Sequence, residues 1–147
     1  MTTSGRFHEV SRPPLWLMAF IAFMLGSLVL AIWAALGDQP AAISGIFFIA
    51  LTTFIYFASA RTISFDGSEL RVGRAHIDKK YLGSAILVPK KEFLIARTRG
   101  ADPAAYFALV FWISEGIKLE IKDPRDSTPY WLISTKHGKD LIAALEN

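Results

Sequence analysis

The sequence predicts an α-helical hairpin that crosses a membrane, followed by a small, mostly-β domain. Three observations carry this. Residues 15–60 contain one charged residue, Asp38. From Arg61 onward the apolar residues recur with a period of two, as in half-buried strands. Near the end, Leu141, Ile142 and Leu145 mark one face of a closing amphipathic helix. The chain of 147 residues is 52% hydrophobic, with mean hydropathy +0.36. It divides into an N-terminal tail over 1–14, a two-helix hairpin over 15–60 and a domain over 61–147. A domain that small closes one modest core.

The first span is 15–36, LWLMAFIAFMLGSLVLAIWAAL. At about 1.5 Å per residue it reaches about 33 Å, enough for a hydrocarbon core of about 30 Å. Trp16 and Trp33 lie near its ends, where indoles favour headgroup depth. Pro13 and Pro14 precede it, at a helix start where a missing N–H costs little. The second span is 41–60, opened by Pro40 and closed by Arg61, whose side chain can snorkel to headgroups. Gly37 to Pro40 joins the spans, which forces an antiparallel hairpin. That turn holds no Lys or Arg, whereas Arg6 and Arg12 precede the hairpin and Arg61, Arg71, Arg74, Lys79 and Lys80 follow it. The positive-inside rule then places both termini in the cytoplasm, in a multi-pass protein of the cell membrane. A cleaved signal peptide is the alternative for the first span, but its apolar run exceeds the usual length of about 7–15 residues and no clear A-x-A site follows. A buried hairpin of a soluble protein would need more covering chain than the domain offers.

Ser27, Ala31 and Ala35 form a small-xxx-small stripe on the first helix, and Ala41 and Gly45 a shorter pair on the second. Small residues let helix backbones approach closely. The spacing predicts packing of the two helices on each other, with homodimerisation or docking to another membrane protein as the alternative. Phe20, Phe23 and Met24 are ordinary lipid-facing side chains and indicate no cofactor.

In the domain, Thr62–Phe65 and Glu69–Val72 alternate around the turn Asp66-Gly67-Ser68. Gly73 precedes a strand at Ala75–Asp78. Ser84–Val88 is a short strand ended by Pro89, and Lys90–Arg97 a short helix or turn. Tyr106–Trp112 is apolar and aromatic and reads as a central strand. Ile117, Leu119 and Ile121 alternate with Lys118, Glu120 and Lys122. Pro129–Ser134 is the last strand, with Thr135 as N-cap of the final helix. About seven strands capped by one C-terminal helix suit a bent sheet or partly open barrel of the pleckstrin-homology-like (PH-like) kind, an architecture that implies no function by itself.

Several stretches carry a family resemblance. They are Asp66-Gly67, Leu70, Val72-Gly73-Arg74-Ala75, Ala101-Asp102-Pro103, Tyr106 and, above all, Asp123-Pro124 with Thr128-Pro129-Tyr130-Trp131-Leu132-Ile133-Ser134-Thr135-Lys136. The chain from Arg12 onward resembles the actinobacterial two-helix membrane proteins grouped as domain of unknown function 3093. Phe7-His8-Glu9 departs from the Tyr-Arg-Glu of that family's start. The family has no established activity, so the resemblance implies topology and no function.

Charge is uneven. Nine cations face four acids between Arg61 and Arg99, against five and seven from Gly100 on. Arg61, Arg71, Arg74, Lys79, Lys80, Lys90 and Lys91 are therefore candidate contacts for anionic lipid headgroups or an acidic partner, at roughly 1 kcal/mol per well-placed cation on an anionic leaflet. A merely solvated surface is the alternative. Nucleic acid is not expected, because no recognition motif accompanies the charge. Tyr130 and Trp131 point to opposite faces of a strand, so one can fill the core and the other can anchor a partner or, in the preferred reading, stack under the C-terminal helix. The absence of cysteine excludes disulfides, thiolate catalysis and thiolate metal sites. His8, His76 and His137 are dispersed, and only His76 and Asp78 share a strand face, too few ligands for a metal. Asp123 and Asp126 read as turn formers. Gly-rich phosphate loops, nucleophile elbows and HExxH are absent. The expectation is a non-enzymatic, cofactor-free interaction or scaffold module held at the membrane. The alternatives are an accessory subunit of a membrane enzyme or transporter, bound through the hairpin, or a membrane-surface enzyme.

Overall fold

The structure is a computed structural model that describes residues 5–147. It divides into two compact units: Arg12–Ala60, and a domain that joins residues 61–147 to a strand from the N-terminal segment.

The first unit holds α1 (Leu15–Leu36) and α2 (Asp38–Ala58), packed on each other as an antiparallel pair. Both are long and apolar enough to cross a membrane by length and composition. No residue of α1 is buried, and α2 buries only Ala41. Apolar surface on all sides of a helix suits lipid rather than water. Gly37 alone separates the helices, with a φ of +87° that glycine adopts without strain. The four-residue turn expected from the sequence is thus shorter, because Asp38, Gln39 and Pro40 enter the first turn of α2. Proline fits there, where N–H groups lack intrahelical partners. The Trp33 indole donates to the Asp38 carboxylate at 2.6 Å, which holds the span's one charge at the helix N-terminus. Ser27, Ser44, Thr52 and Thr53 each donate to a carbonyl three or four residues back, so their hydroxyls need no other partner in an apolar setting.

The second unit contains two four-stranded sheets. One is the meander β1 (Phe7–Ser11), β2 (Arg61–Phe65), β3 (Glu69–Val72) and β4 (Ala75–Asp78). The other runs β5 (Leu82–Val88), β7 (Gly116–Ile121), β8 (Tyr130–Ser134), β6 (Tyr106–Ala108). A 3-10 turn at Lys79–Tyr81 links the sheets, α3 (Lys90–Ala96) follows β5, and α4 (Gly138–Glu146) ends the chain. Phe65, Leu70, Ile117, Leu119, Trp131 and Ile133 from both sheets close one core with Leu141, Ala144 and Leu145 of α4.

Two turns show why the meander forms. The Asp66 carboxylate accepts from the Ser68 and Glu69 N–H groups and the Ser68 hydroxyl, and these bonds hold its pKa down at about 2. Gly73 and Arg74 join β3 to β4 with φ +62° at Gly73 alone, the pattern of a type II′ hairpin.

Three expectations need correction. Residues 7–11 are not a tail: β1 pairs antiparallel with β2, from Phe7↔Phe65 to Ser11↔Arg61. The residues 61–147 therefore lack one strand of their own sheet. Tyr106–Trp112 is not a central strand. Only Tyr106–Ala108 pairs, at the sheet edge and parallel to β8, because the Ser134 hydroxyl captures the Val110 N–H and Ile113 then donates back to Val110 in a turn. Thr135 is not the N-cap of α4, which is His137. The Thr135 hydroxyl instead accepts from the His137 N–H and donates to Glu9, which delays the helix by two residues.

Candidate functional site

The strand register sorts the candidate cations. Arg61 opens β2 opposite Ser11, and Arg74 sits in the β3–β4 turn at that same strand end, where Gly73 donates to the Thr62 carbonyl. A Cβ on Gly73 would lie 3.9 Å from Arg61 Nη1, so the guanidinium rests beside the turn. Among the described residues neither arginine makes an ion pair. Ser11 leads toward α1 and Arg61 follows α2, so this is the linked end of the domain.

Lys79 and Lys80 lie at the opposite end, where Lys79 donates to the Ser68 carbonyl and Asp78 pairs with Glu69. Lys80 bonds Asp78 at 3.4 Å, which raises its pKa, and its ammonium sits 4.8 Å from the Tyr81 ring. Asp123 is also at this end; the Arg125 N–H and guanidinium lower its pKa. Arg71 is bound to Glu69 at 2.7 Å, midway along the hairpin. Lys90 and Lys91 begin α3 and are exposed, just after Val88, whose partner Gly116 also pairs with Ser134. The seven cations therefore do not form one surface: Arg61 and Arg74 converge, Lys79 and Lys80 belong to the far end, and Arg71 is neutralised.

Arg61 and Arg74 border a cleft of about 250 Å³ between the two sheets. Ile63, Val72, Tyr106, Ala108 and Val110 line it with Ser11 and Ser134, and Phe107 and Leu109 also border it although their side chains pack against the separate cluster of Val88, Phe93 and Leu132. No acid lines it. The Tyr106 ring packs against Trp131 with centroids 4.9 Å apart and the planes tilted by 50°. Sequence reasoning found the arginines from charge alone and missed the cleft, since residues 61–74 and 106–110 line it together only through the packing of the two sheets.

Neither Tyr130 nor Trp131 is a free anchor. Trp131 is 5% exposed in the main core. Tyr130 is half-buried: its hydroxyl accepts from the Asp102 N–H at 3.3 Å and its ring lies 4.1 Å from Lys118 Nζ. The most exposed aromatic among the described residues of the domain is Phe111, at 66%. The small-residue expectation also changes. Ala41 and Gly45 lie in the hairpin contact, with Gly45 4.0 Å from Val29, but Ser27, Ala31 and Ala35 are exposed and the seam of α1 is Ile21, Leu25, Val29 and Ile32. His76 and Asp78 are exposed, and among the described residues no group of three or more His, Cys, Asp or Glu is arranged to hold a metal ion.

One polar centre had no signal in the sequence. Glu9, 9% exposed, points inward from β1. Its carboxylate accepts from the Thr135 hydroxyl, the Lys136 N–H at 3.3 Å and the Ser11 hydroxyl at 3.3 Å, with His137 Nδ1 at 3.7 Å. It ties the N-terminal strand to the β8–α4 junction. Its partners Thr135 and Lys136 end the most family-specific stretch, so the polar centre joins that stretch to the chain's departing start.

No curated protein and no solved structure matches the chain. A family model described as Protein of unknown function (DUF3093) matches residues 6–145, and the chain belongs to that family.

Proposed function

We propose that the chain is a membrane-anchored, non-enzymatic interaction module, in which the hairpin spans the cell membrane and a PH-like domain faces the cytoplasm. The observation that carries this reading is the double tether. Three residues separate Ser11 from Leu15 and two separate Ala58 from Arg61, and Ser11 and Arg61 are register partners. At roughly 3.5 Å per residue, neither link reaches far. A domain tethered twice, at neighbouring strand ends, is joined to the hairpin by two short lengths of chain, as an anchored module requires. Its two sheets closed by a C-terminal helix support the PH-like reading, with the parallel edge strand β6 as a departure. The orientation rests on the Lys- and Arg-free link between the helices.

The chain has no cysteine, so single thiols report topology cleanly. Gln39→Cys is expected to react with a membrane-impermeant maleimide in intact cells, and Ser127→Cys only in inverted vesicles. The opposite pattern sinks the proposed orientation, and labelling of both from one side sinks the hairpin.

A second reading is an accessory subunit that docks through α1. The exposed Ser27, Ala31 and Ala35 favour it, since α2 does not use them. Under this reading Ala31→Leu abolishes a specific crosslink to a membrane protein in native membranes, with the yield of folded protein unchanged. A crosslink of undiminished intensity rules it out.

A further inference from the structure

We propose that the β-domain makes its own contact with an anionic bilayer surface: the Phe111 ring enters at headgroup depth, and Arg61, Arg74, Lys90 and Lys91 meet lipid phosphates around it. The proposal rests on the module reading and names the surface that the module uses.

Segments far apart in sequence bring these residues to one end of the domain. Val88, Gly116 and Ser134 are register partners across β5, β7 and β8. The Ser134 hydroxyl accepts from the Val110 N–H, which extends that row to the loop after β6. Phe111 is the next residue of this loop, and Lys90 and Lys91 follow Val88 after Pro89. Val110 and Ser134 line the same cleft as Ser11, Arg61 and Arg74. The chain leaves the domain for α1 after Ser11 and returns from α2 at Arg61, so this is the end joined to the hairpin.

The chemistry here suits a bilayer surface. Phe111 is 66% exposed and lies against Trp112, with ring centroids 5.0 Å apart. Residues 104–114 carry no charge, so the loop can enter the headgroup layer without stripping an ion of water. Exposed apolar rings bordered by cations are the pattern of segments that lie in a membrane interface. Arg61, Arg74, Lys90 and Lys91 are all exposed, and none makes an ion pair among the described residues. Glu92 and Glu115 are the exposed acids next to them in the chain, which leaves cations in excess. Attraction to an anionic leaflet fades within about a Debye length, roughly 8 Å in physiological salt, so only cations at the docking end count. Lys79 and Lys80 lie at the other end, where Asp78 and Asp123 offset them. The hairpin already holds the domain at high effective concentration, so one ring and a few cations suffice where a free domain would need more.

The test uses the full chain carrying Trp16→Phe and Trp33→Phe, in unilamellar vesicles doped with a lipid that bears a nitroxide high on its acyl chain. Trp112 and Trp131 remain, and Trp131 is shielded in the core. With phosphatidylglycerol in the vesicle, the nitroxide is expected to quench Trp112 at least about two-fold more than with phosphatidylcholine alone. Trp112→Phe removes the quenched signal, which assigns it. Phe111→Ser abolishes most of the quenching, and Phe111→Leu, which stays apolar, retains part of it. Arg61→Gln, Arg74→Gln, Lys90→Gln and Lys91→Gln together remove the dependence on phosphatidylglycerol, and the exposed pair Lys90→Gln with Lys91→Gln alone reduces it. Lys79→Gln with Lys80→Gln changes nothing, and circular dichroism confirms the fold of each variant. Trp112 unquenched in both vesicles overturns the proposal and leaves Phe111 to a protein partner. Quenching undiminished in Phe111→Ser overturns it, as does quenching equal in the two lipids or lost equally on changing Lys79 and Lys80. The nitroxide lipid is present in both leaflets, so reversed cysteine labelling leaves this result untouched, and failure here leaves the topology untouched.

Discussion

Gly116→Ala is expected to unfold the β-domain. Gly116 opens β7 in the middle of its sheet, paired with Val88 on one side and Ser134 on the other. An added Cβ would collide with the Ile133 carbonyl oxygen and approach Phe93 Cε2 to 2.8 Å. The first is backbone and cannot rotate away; the second belongs to a ring with no exposed surface. Overpacking a core costs about 1–3 kcal/mol when side chains alone adjust. Here the β7–β8 ladder must move, so a cost of at least about 3 kcal/mol is expected. Total stabilities run to about 5–15 kcal/mol, and a domain this small belongs near the lower end. Thermal unfolding of the full chain in micelles checks this, read by near-ultraviolet dichroism of Trp131 and the other domain aromatics. Gly26→Ala is the control, because a Cβ there meets nothing within 4 Å and alanine suits a helix. A Gly116→Ala protein that melts with the parent would show that the strands yield more easily than the contact geometry implies.

Glu9→Ala is expected to cost about 2–3 kcal/mol, more than any other polar substitution in the domain. The change leaves the buried Thr135 hydroxyl and the Lys136 N–H without their acceptor, and stranded donors carry their full desolvation cost. Thr135→Val removes the main donor and leaves the carboxylate half-satisfied, which also destabilises. Because both act on one interaction, the double variant is expected to lose at least about 1 kcal/mol less than the two single losses added together. Simple additivity would refute the pairing. The same contact predicts that a chain starting at residue 61 folds poorly: it lacks β1, uncovers the outer edge of β2 and abandons Thr135.

The hairpin was legible because its signal is local and continuous. Residues 15–36 form α1 as the sequence predicts, since an uncharged run of that length needs no distant partner to be recognised. The alternation of β2, β3 and β7, and the Asp66-Gly67 turn, were legible for the same reason. β1 was not. Its pattern is inverted, with Glu9 facing in and Val10 44% exposed, and its partner strand is fifty or more residues away. A Glu on the core face makes sense only once Thr135 stands opposite it. Tyr106–Trp112 misled because apolar composition suggests burial without saying what interrupts pairing, and the interruption is a hydroxyl from Ser134.

The candidate site divides along the same line. The sequence by itself determined that cations concentrate after the second helix, that small residues stripe the first, and that the chain resembles one family. Only the tertiary structure decided which cations converge. Strand register put Arg61 beside Arg74 and sent Lys79 and Lys80 to the opposite end, and Glu69 took Arg71. Only the packing of one sheet on the other made the cleft that those arginines border. The physical reason is the range of the interactions. Hydropathy, turn propensity and net charge add up along the chain, whereas a cleft is made where segments far apart in sequence are brought together by a shared core.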